Sequence, residues 1–200
     1  MSVGIRTRAA LFVLVTGAPI ALAFPAEPSA RLSVEARGAS LGLFATDPDY
    51  DYDAMLAEMR DRGASDVLIV YQLMARDVRS SELGLVDGHS PKRAALCRTI
   101  DQARAMGLRV ALMPIVGLME RADGEWRGNL APQDLDAWFT AYGRAIEAAA
   151  RIAEAHDVAR LIVGSELSSL EVYEGRWREL IATARTSYGG TLTYSANWDH

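Results

Sequence analysis

The sequence predicts an α/β protein, the N-terminal portion of a (β/α)8 TIM barrel holding about five βα units. Three observations carry that reading. Short apolar β runs alternate with helix-period segments from Ser40 to the end of the chain, and such alternation means a parallel sheet with helices packed against it. The first strand is followed by Ala45-Thr46-Asp47-Pro48, which lacks the glycine-rich phosphate turn of a doubly wound dinucleotide fold. Finally, five strand signals occupy 200 residues, whereas a closed barrel takes eight strands and about 250 residues. The last strand signal has no covering helix after it, so the sequence is expected to belong to a longer barrel.

Each element has its own signature. Ser40-Leu41-Gly42-Leu43-Phe44 is the first apolar run. Asp53 is placed to cap a helix with Met55, Leu56 and Met59 on its apolar face, and Gly63 to end it. Val67 to Tyr71 is a second strand, and a polar loop from about Ala75 to His89 comes after it. Ser90-Pro91 is expected to open a second helix through Leu96, Ile100 and Ala103, closed by Gly107. Arg109 to Pro114 is a third strand ended by its proline, and a loop then carries Glu120, Glu125 and Trp126.

The third helix has the clearest period, in Leu135, Trp138, Phe139, Tyr142, Ile146, Ala149 and Ile152, with Asp134 and Asp136 at its positive end. Leu161-Ile162-Val163-Gly164-Ser165-Glu166-Leu167 is the fourth strand, a buried run that ends in a carboxylate. A fourth helix carries Trp177, Leu180, Ile181 and Ala184, and Gly189-Gly190 breaks it. Thr191 to Ser195 is the fifth strand, succeeded by Asn197 and Trp198.

The N-terminus obeys a different logic. Arg6 and Arg8 precede an apolar run from Ala9 to Ala23 that closes on Ala21-Leu22-Ala23, the pattern of a cleaved export signal. The run is short for a membrane span of about 20 apolar residues. The expected organisation is a signal peptide over 1–23, a linker over 24–38 and the barrel over 39–200. The expected location is secreted or periplasmic, with no stable membrane association after cleavage.

Composition narrows the chemistry. The net charge of −5 gives no attraction to nucleic acid. The single cysteine, Cys97, excludes a disulfide within the chain and a multi-cysteine metal site. His89, His156 and His200 are isolated, so neither a metal nor any other cofactor is expected. Asp47, Asp49, Asp51 and Asp53 alternate as in a calcium loop, with Glu58 at the twelfth position. Tyr52 stands where that loop needs glycine, so a solvated loop and helix cap is the better reading. Ser165, Ser168 and Ser169 lack the Gly-x-Ser-x-Gly elbow of a serine hydrolase. The only lysine, Lys92, begins a helix, which disfavours Schiff-base chemistry.

Glu166 is the candidate catalytic residue. It stands where a buried parallel strand leaves the sheet, the end at which barrel enzymes place their chemistry. Cleaving a glycosidic bond takes two carboxyl groups, one of which protonates the leaving oxygen, and Glu166 has the position for that proton donor. Tyr71, Gln72, Trp126, Asn197 and Trp198 are candidates for substrate binding, as strand-end or loop groups able to stack on or hydrogen-bond a sugar.

These residues carry a family resemblance. Leu161 to Leu167, with Trp177 downstream and Thr193-Tyr194-Ser195-Ala196-Asn197-Trp198-Asp199 after it, resembles (β/α)8 glycoside hydrolases and most closely the β-mannanase-like glycoside hydrolase family 113. The resemblance runs from about Ser40 to His200. It implies Glu166 as the acid/base after the fourth strand, and a nucleophilic glutamate after the seventh, beyond this sequence. Enzymes of this clan often place asparagine before the acid/base; here Ser165 offers a hydroxyl for substrate instead. The implied activity is retaining hydrolysis of a β-linked, mannan-like polysaccharide or oligosaccharide. A non-catalytic carbohydrate-binding barrel, or an inactive fragment, is the alternative.

Overall fold

The structure, a computed structural model, describes residues 37–197. The expected signal peptide, the expected linker up to residue 36 and Trp198 lie outside the described residues.

The architecture is a parallel sheet with helices on one face, a partial TIM barrel. Five parallel strands lie side by side in the order of the chain, β1 (Gly38–Gly42), β2 (Asp66–Ala75), β4 (Arg109–Leu118), β5 (Arg160–Ser165) and β6 (Thr191–Ser195). A two-residue strand, β3 (Leu83–Gly84), pairs antiparallel with the end of β2, inside what the sequence presents as a loop. The connecting helices are α1 (Asp53–Asp61), α2 (Arg93–Ala105), α3 (Leu135–Ala155) and α4 (Glu174–Ser187). Strand β1 begins at Gly38, the last residue of the expected linker.

Alternation along the strands decides what each residue does. Ile69, Tyr71, Leu73 and Ala75 of β2, with Leu112 and Val116 of β4, point to the helices and join Leu96, Ile100, Trp138, Tyr142 and Ile146 in one core. Their neighbours Gln72, Met113 and Ile115 on the opposite face are only half-buried. Helix α3 is the centre of the helical layer: Trp138 stacks on Tyr142 with ring centroids 4.8 Å apart, and Trp177 meets both Phe139 and Tyr142 edge-on.

The caps differ from expectation at two helix starts. Ser90 does not cap α2, whose N-cap is Lys92. The buried Ser90 hydroxyl instead donates to the Gln72 carbonyl at 2.8 Å and accepts from the Val86 amide, tying the long loop to β2. Helix α1 begins at Asp53 itself, after Tyr52, and the Asp51 carboxylate accepts from the Asp53 amide. The aspartates around it make such local turns, and Asp49 pairs with Lys92. Among the described residues no cluster of three or more acidic, histidine or cysteine side chains is placed to hold a metal, and no helix is long and apolar enough to cross a membrane. Asp134 does cap α3, accepting from the Ala137 amide at 2.9 Å.

Strand β4 does not stop at Pro114 but runs on to Leu118. Its pairing with β5 is confined to Ala111 and Leu112, so at Pro114 it pairs with β2 alone. A residue without an amide hydrogen is tolerated where one side of the strand makes no ladder.

The hydroxyls of Tyr142, Tyr188 and Tyr194 are hydrogen-bonded around β5. Tyr142 donates to the Val163 carbonyl at 3.0 Å, and Tyr188 to the Val158 carbonyl at 2.7 Å. Burial, assisted by neighbouring Tyr194 and Tyr71, pushes the Tyr142 phenol far above its ordinary value of 10.0. Burial also raises Tyr71 and Tyr188. The folded state therefore holds these protons more tightly than the unfolded chain does. The stability they bring is complete below about pH 10 and declines as pH climbs above it. Thermal unfolding tracked by circular dichroism should show a falling midpoint above that pH. Tyr142→Phe should flatten the fall, while costing about 0.5–1.5 kcal/mol at neutral pH for the lost hydrogen bond. An unchanged alkaline slope would count against burial as its cause.

Candidate active site

The C-terminal edge of the sheet is shaped by one irregularity. Ile162 of β5 pairs with Thr193 of β6, but the next matched pair is Ser165 with Ser195, so β5 carries one extra residue between them. Such a bulge turns the strand and re-aims the residues beyond it. It places Gly164 against the helix layer, where a Cβ would lie 2.6 Å from the Tyr194 ring and 3.0 Å from Trp177. Ser165, beside Ser195 in the sheet, is buried.

Glu166 comes immediately after, with φ of +54°, a left-handed conformation uncommon for a side chain with a Cβ. Its amide donates to the Ser195 carbonyl at 2.9 Å, and the next amide, of Leu167, donates to the Tyr194 hydroxyl at 2.9 Å. The turn is thus bonded to the end of β6 on both sides of Glu166. The Tyr194 hydroxyl donates in turn to Glu171 at 2.6 Å. Burial and this carboxylate raise the Tyr194 phenol, so it stays protonated and keeps donating.

The Glu166 carboxylate is about a third exposed and is ion-paired with Arg127. Arg127 belongs to a 3₁₀ turn, Arg127–Asn129, in the β4–α3 loop. The loop is held by its own bonds: the Trp126 amide donates to the Asn129 side chain, which donates to the Gly124 carbonyl. The Trp126 ring folds over Gly128, where a Cβ would lie 2.2 Å from it, and Arg127 stands 5.9 Å from the ring centroid. A second tie comes from Ser169, whose hydroxyl donates to the Leu130 carbonyl at 2.7 Å.

The expected site residues fall into three groups. Glu166, Ser165 and Asn197 are gathered at the ends of β5 and β6, though the Asn197 amide already donates to the Ser168 hydroxyl. Trp126 is brought to the same edge by its loop and is partly exposed, and Gln72 lies half-buried on the sheet face away from the helices. Tyr71 is a correction. It sits in mid-strand, 3% exposed, with its ring among Leu73, Leu96, Ala149 and Ile152 on the helix side, and it cannot contact a substrate at the mouth. The strand continues to Ala75, so what reads as a strand end in the sequence is a strand centre.

Two contributors escape the sequence reading. Arg127 is one cation among many until the loop folds back on Glu166. Tyr194 sits inside the motif that carries the family resemblance, but its role depends on the bulge, which a one-residue mismatch between separated strands does not announce.

Against known proteins, the family model for Glycoside Hydrolase Family 113 matches residues 41–200. Among solved structures, a GH113 β-1,4-mannanase is similar with TM-score 0.73 and 27% identity, over 81% of this chain and 56% of that one. The GH113 β-mannanase AaManA from Alicyclobacillus acidocaldarius, in complex with ManMIm, gives TM-score 0.74 and 24% identity, over 82% and 55%. A hyperthermostable endocellulase shares the fold at TM-score 0.51 and 9% identity, over 80% and 52%. The chain spans a little over half the length of each. No curated protein sequence matches it.

Gly164 offers a direct check on the site's framework. Neither ring facing it is free to retreat, since Trp177 Nε1 donates to the Leu170 carbonyl and the Tyr194 hydroxyl is bonded twice. Gly164→Ala should therefore destabilise the protein by about 1–3 kcal/mol, the cost of overpacking, as a lowered denaturant midpoint. A neutral outcome would mean the rings are not fixed as described.

Proposed function

The chain belongs to glycoside hydrolase family 113, and on that premise we propose that the protein is an exported, retaining glycoside hydrolase of β-linked mannan, with Glu166 as its acid/base. The observation that carries the proposal is the placement of Glu166, a carboxylate set by a bulge and a left-handed turn at the C-terminal edge of a parallel sheet. The similar solved mannanases support the substrate class. The export signal rests on the charged and apolar pattern of residues 1–23.

In this reading Glu166 protonates the glycosidic oxygen as the sugar–oxygen bond breaks, and then takes a proton from the water that releases the glycosyl intermediate. The nucleophile that forms the intermediate belongs after the seventh barrel strand, and the described residues supply five parallel strands. Arg127 holds the Glu166 carboxylate and restricts its rotamers. Trp126 supplies an aromatic face at the same edge, suited to the apolar side of a pyranose. Gln72, Ser165 and Asn197 are the polar groups available to sugar hydroxyls, and Trp198 is a further aromatic candidate. The net charge of −5 suits a neutral polysaccharide better than nucleic acid.

One observation favours a second reading, a carbohydrate-binding barrel without turnover: the Glu166 carboxylate is engaged by Arg127. The two readings separate in one assay. In the complete protein, Glu166→Gln should lower hydrolysis of β-1,4-mannan by roughly a hundredfold or more, through loss of general acid catalysis, while calorimetric binding of mannooligosaccharide persists. Wild-type protein that binds the oligosaccharide yet releases no reducing ends would establish the second reading. A Glu166→Gln variant with full mannan hydrolysis would remove Glu166 from the chemistry.

A further inference from the structure

We infer that Tyr194 is a positioning residue for Glu166, acting through the Leu167 amide, and that Glu171 holds the Tyr194 hydroxyl in register for that task. The inference rests on the reading of Glu166 as acid/base and specifies what aims it.

The left-handed conformation at Glu166 is strained for a residue with a Cβ, and persists only where surrounding contacts over-determine it. Here the peptide groups flanking its Cα are each bonded to β6. The Glu166 amide ends on a backbone carbonyl, that of Ser195. The Leu167 amide ends on a side chain, the Tyr194 hydroxyl. Leu167 is fully buried, so its amide has no ready access to solvent as an alternative partner.

A phenol has one proton and can accept as well as donate. The Tyr194 proton goes to Glu171 at 2.6 Å, which leaves the oxygen's lone pairs for the Leu167 amide. Glu171 therefore sets the direction of the hydroxyl. The ring is fixed independently, edge-on to Trp177 at 5.6 Å and against Gly164. Tyr194 lies on the helix side of β6, as its packing on Trp177 shows, so it reaches Glu166 through the backbone and not through the sugar. A carboxylate displaced by about an ångström loses proton transfer long before the fold is lost.

Leaving-group chemistry isolates that loss. A polysaccharide alkoxide needs a proton to depart, whereas a dinitrophenolate leaves without one. We would compare kcat/KM, which reports the first bond-breaking step, for β-1,4-mannan and for a dinitrophenyl β-mannoside, using the complete protein. Tyr194→Phe keeps the ring and removes the hydroxyl; it should lower kcat/KM on mannan roughly ten- to hundredfold and leave the aryl substrate within about twofold. Glu171→Ala, which frees the hydroxyl without stranding a buried amide, should show the same selectivity at smaller size, and Glu171→Gln, which still accepts, should restore most of the activity. Equal losses on both substrates, or no loss on either, would overturn the role of Tyr194. Glu166→Gln run in parallel tests the parent reading: if it retains mannan hydrolysis, the acid/base assignment itself fails. If it loses mannan hydrolysis while Tyr194→Phe matches wild type on both substrates, only the present inference fails.

Discussion

Between Ile162 and Ser165, strand β5 carries one residue more than the partner it runs beside, and the geometry of the whole upper edge depends on that mismatch. Side chains alternate faces along a strand with a period of two, so an added residue turns over everything after it. Without it, Ser165 would face the helices. With it, Val163 and Gly164 both abut the helical layer, Ser165 stands beside Ser195, and the chain leaves the sheet through the left-handed turn at Glu166. The absence of a side chain at residue 164 is what lets two aromatic rings close over the bulge.

The surrounding charges contribute less. Several ion pairs among the described residues, such as Arg62 with Glu58 and Arg178 with Glu174, join well-exposed side chains one helical turn apart, where each is worth a few tenths of a kcal/mol. Arg127 with Glu166 is the more sheltered pair, about a third exposed on both sides, and it bridges the loops at the ends of two adjacent strands. It therefore joins the β4 and β5 loops above the level where the strands themselves have parted, since their ladder ends at Leu112 and Leu161.

The alternation of strands and helices was legible because buried parallel strands are continuous apolar runs and α3 keeps its period over 21 residues. The family resemblance was legible for the same reason, being carried by a strand end and the motif after it. What failed was information that lives between elements. Pro114 reads as a stop, yet its tolerance depends on which neighbour β4 has at that height. Ser90-Pro91 reads as a helix start, but the serine hydroxyl is taken by the Gln72 carbonyl. Tyr71 reads as a strand end because the β-branched run stops there, although β2 continues through Gln72-Leu73-Met74. Arg127 and Tyr194 acquire roles only through partners 39 and 27 residues away.

The tyrosine hydroxyls bonded around β5 also bear on how the chain avoids mistakes as it folds. Tyr142 comes from α3, Tyr188 from the end of α4, and Tyr194 from β6, and they meet the backbone at Val163, Val158 and Leu167. A one-residue slip of this segment would move it by about 3.3 Å and part all three hydroxyls from these backbone partners at once. Misaligned pairings of this apolar segment are thus disfavoured by three separately anchored groups as well as by the rings packed on Gly164. In a parallel sheet built from interchangeable aliphatic runs, these phenols act as a proofreading ruler for the strand that bears Glu166.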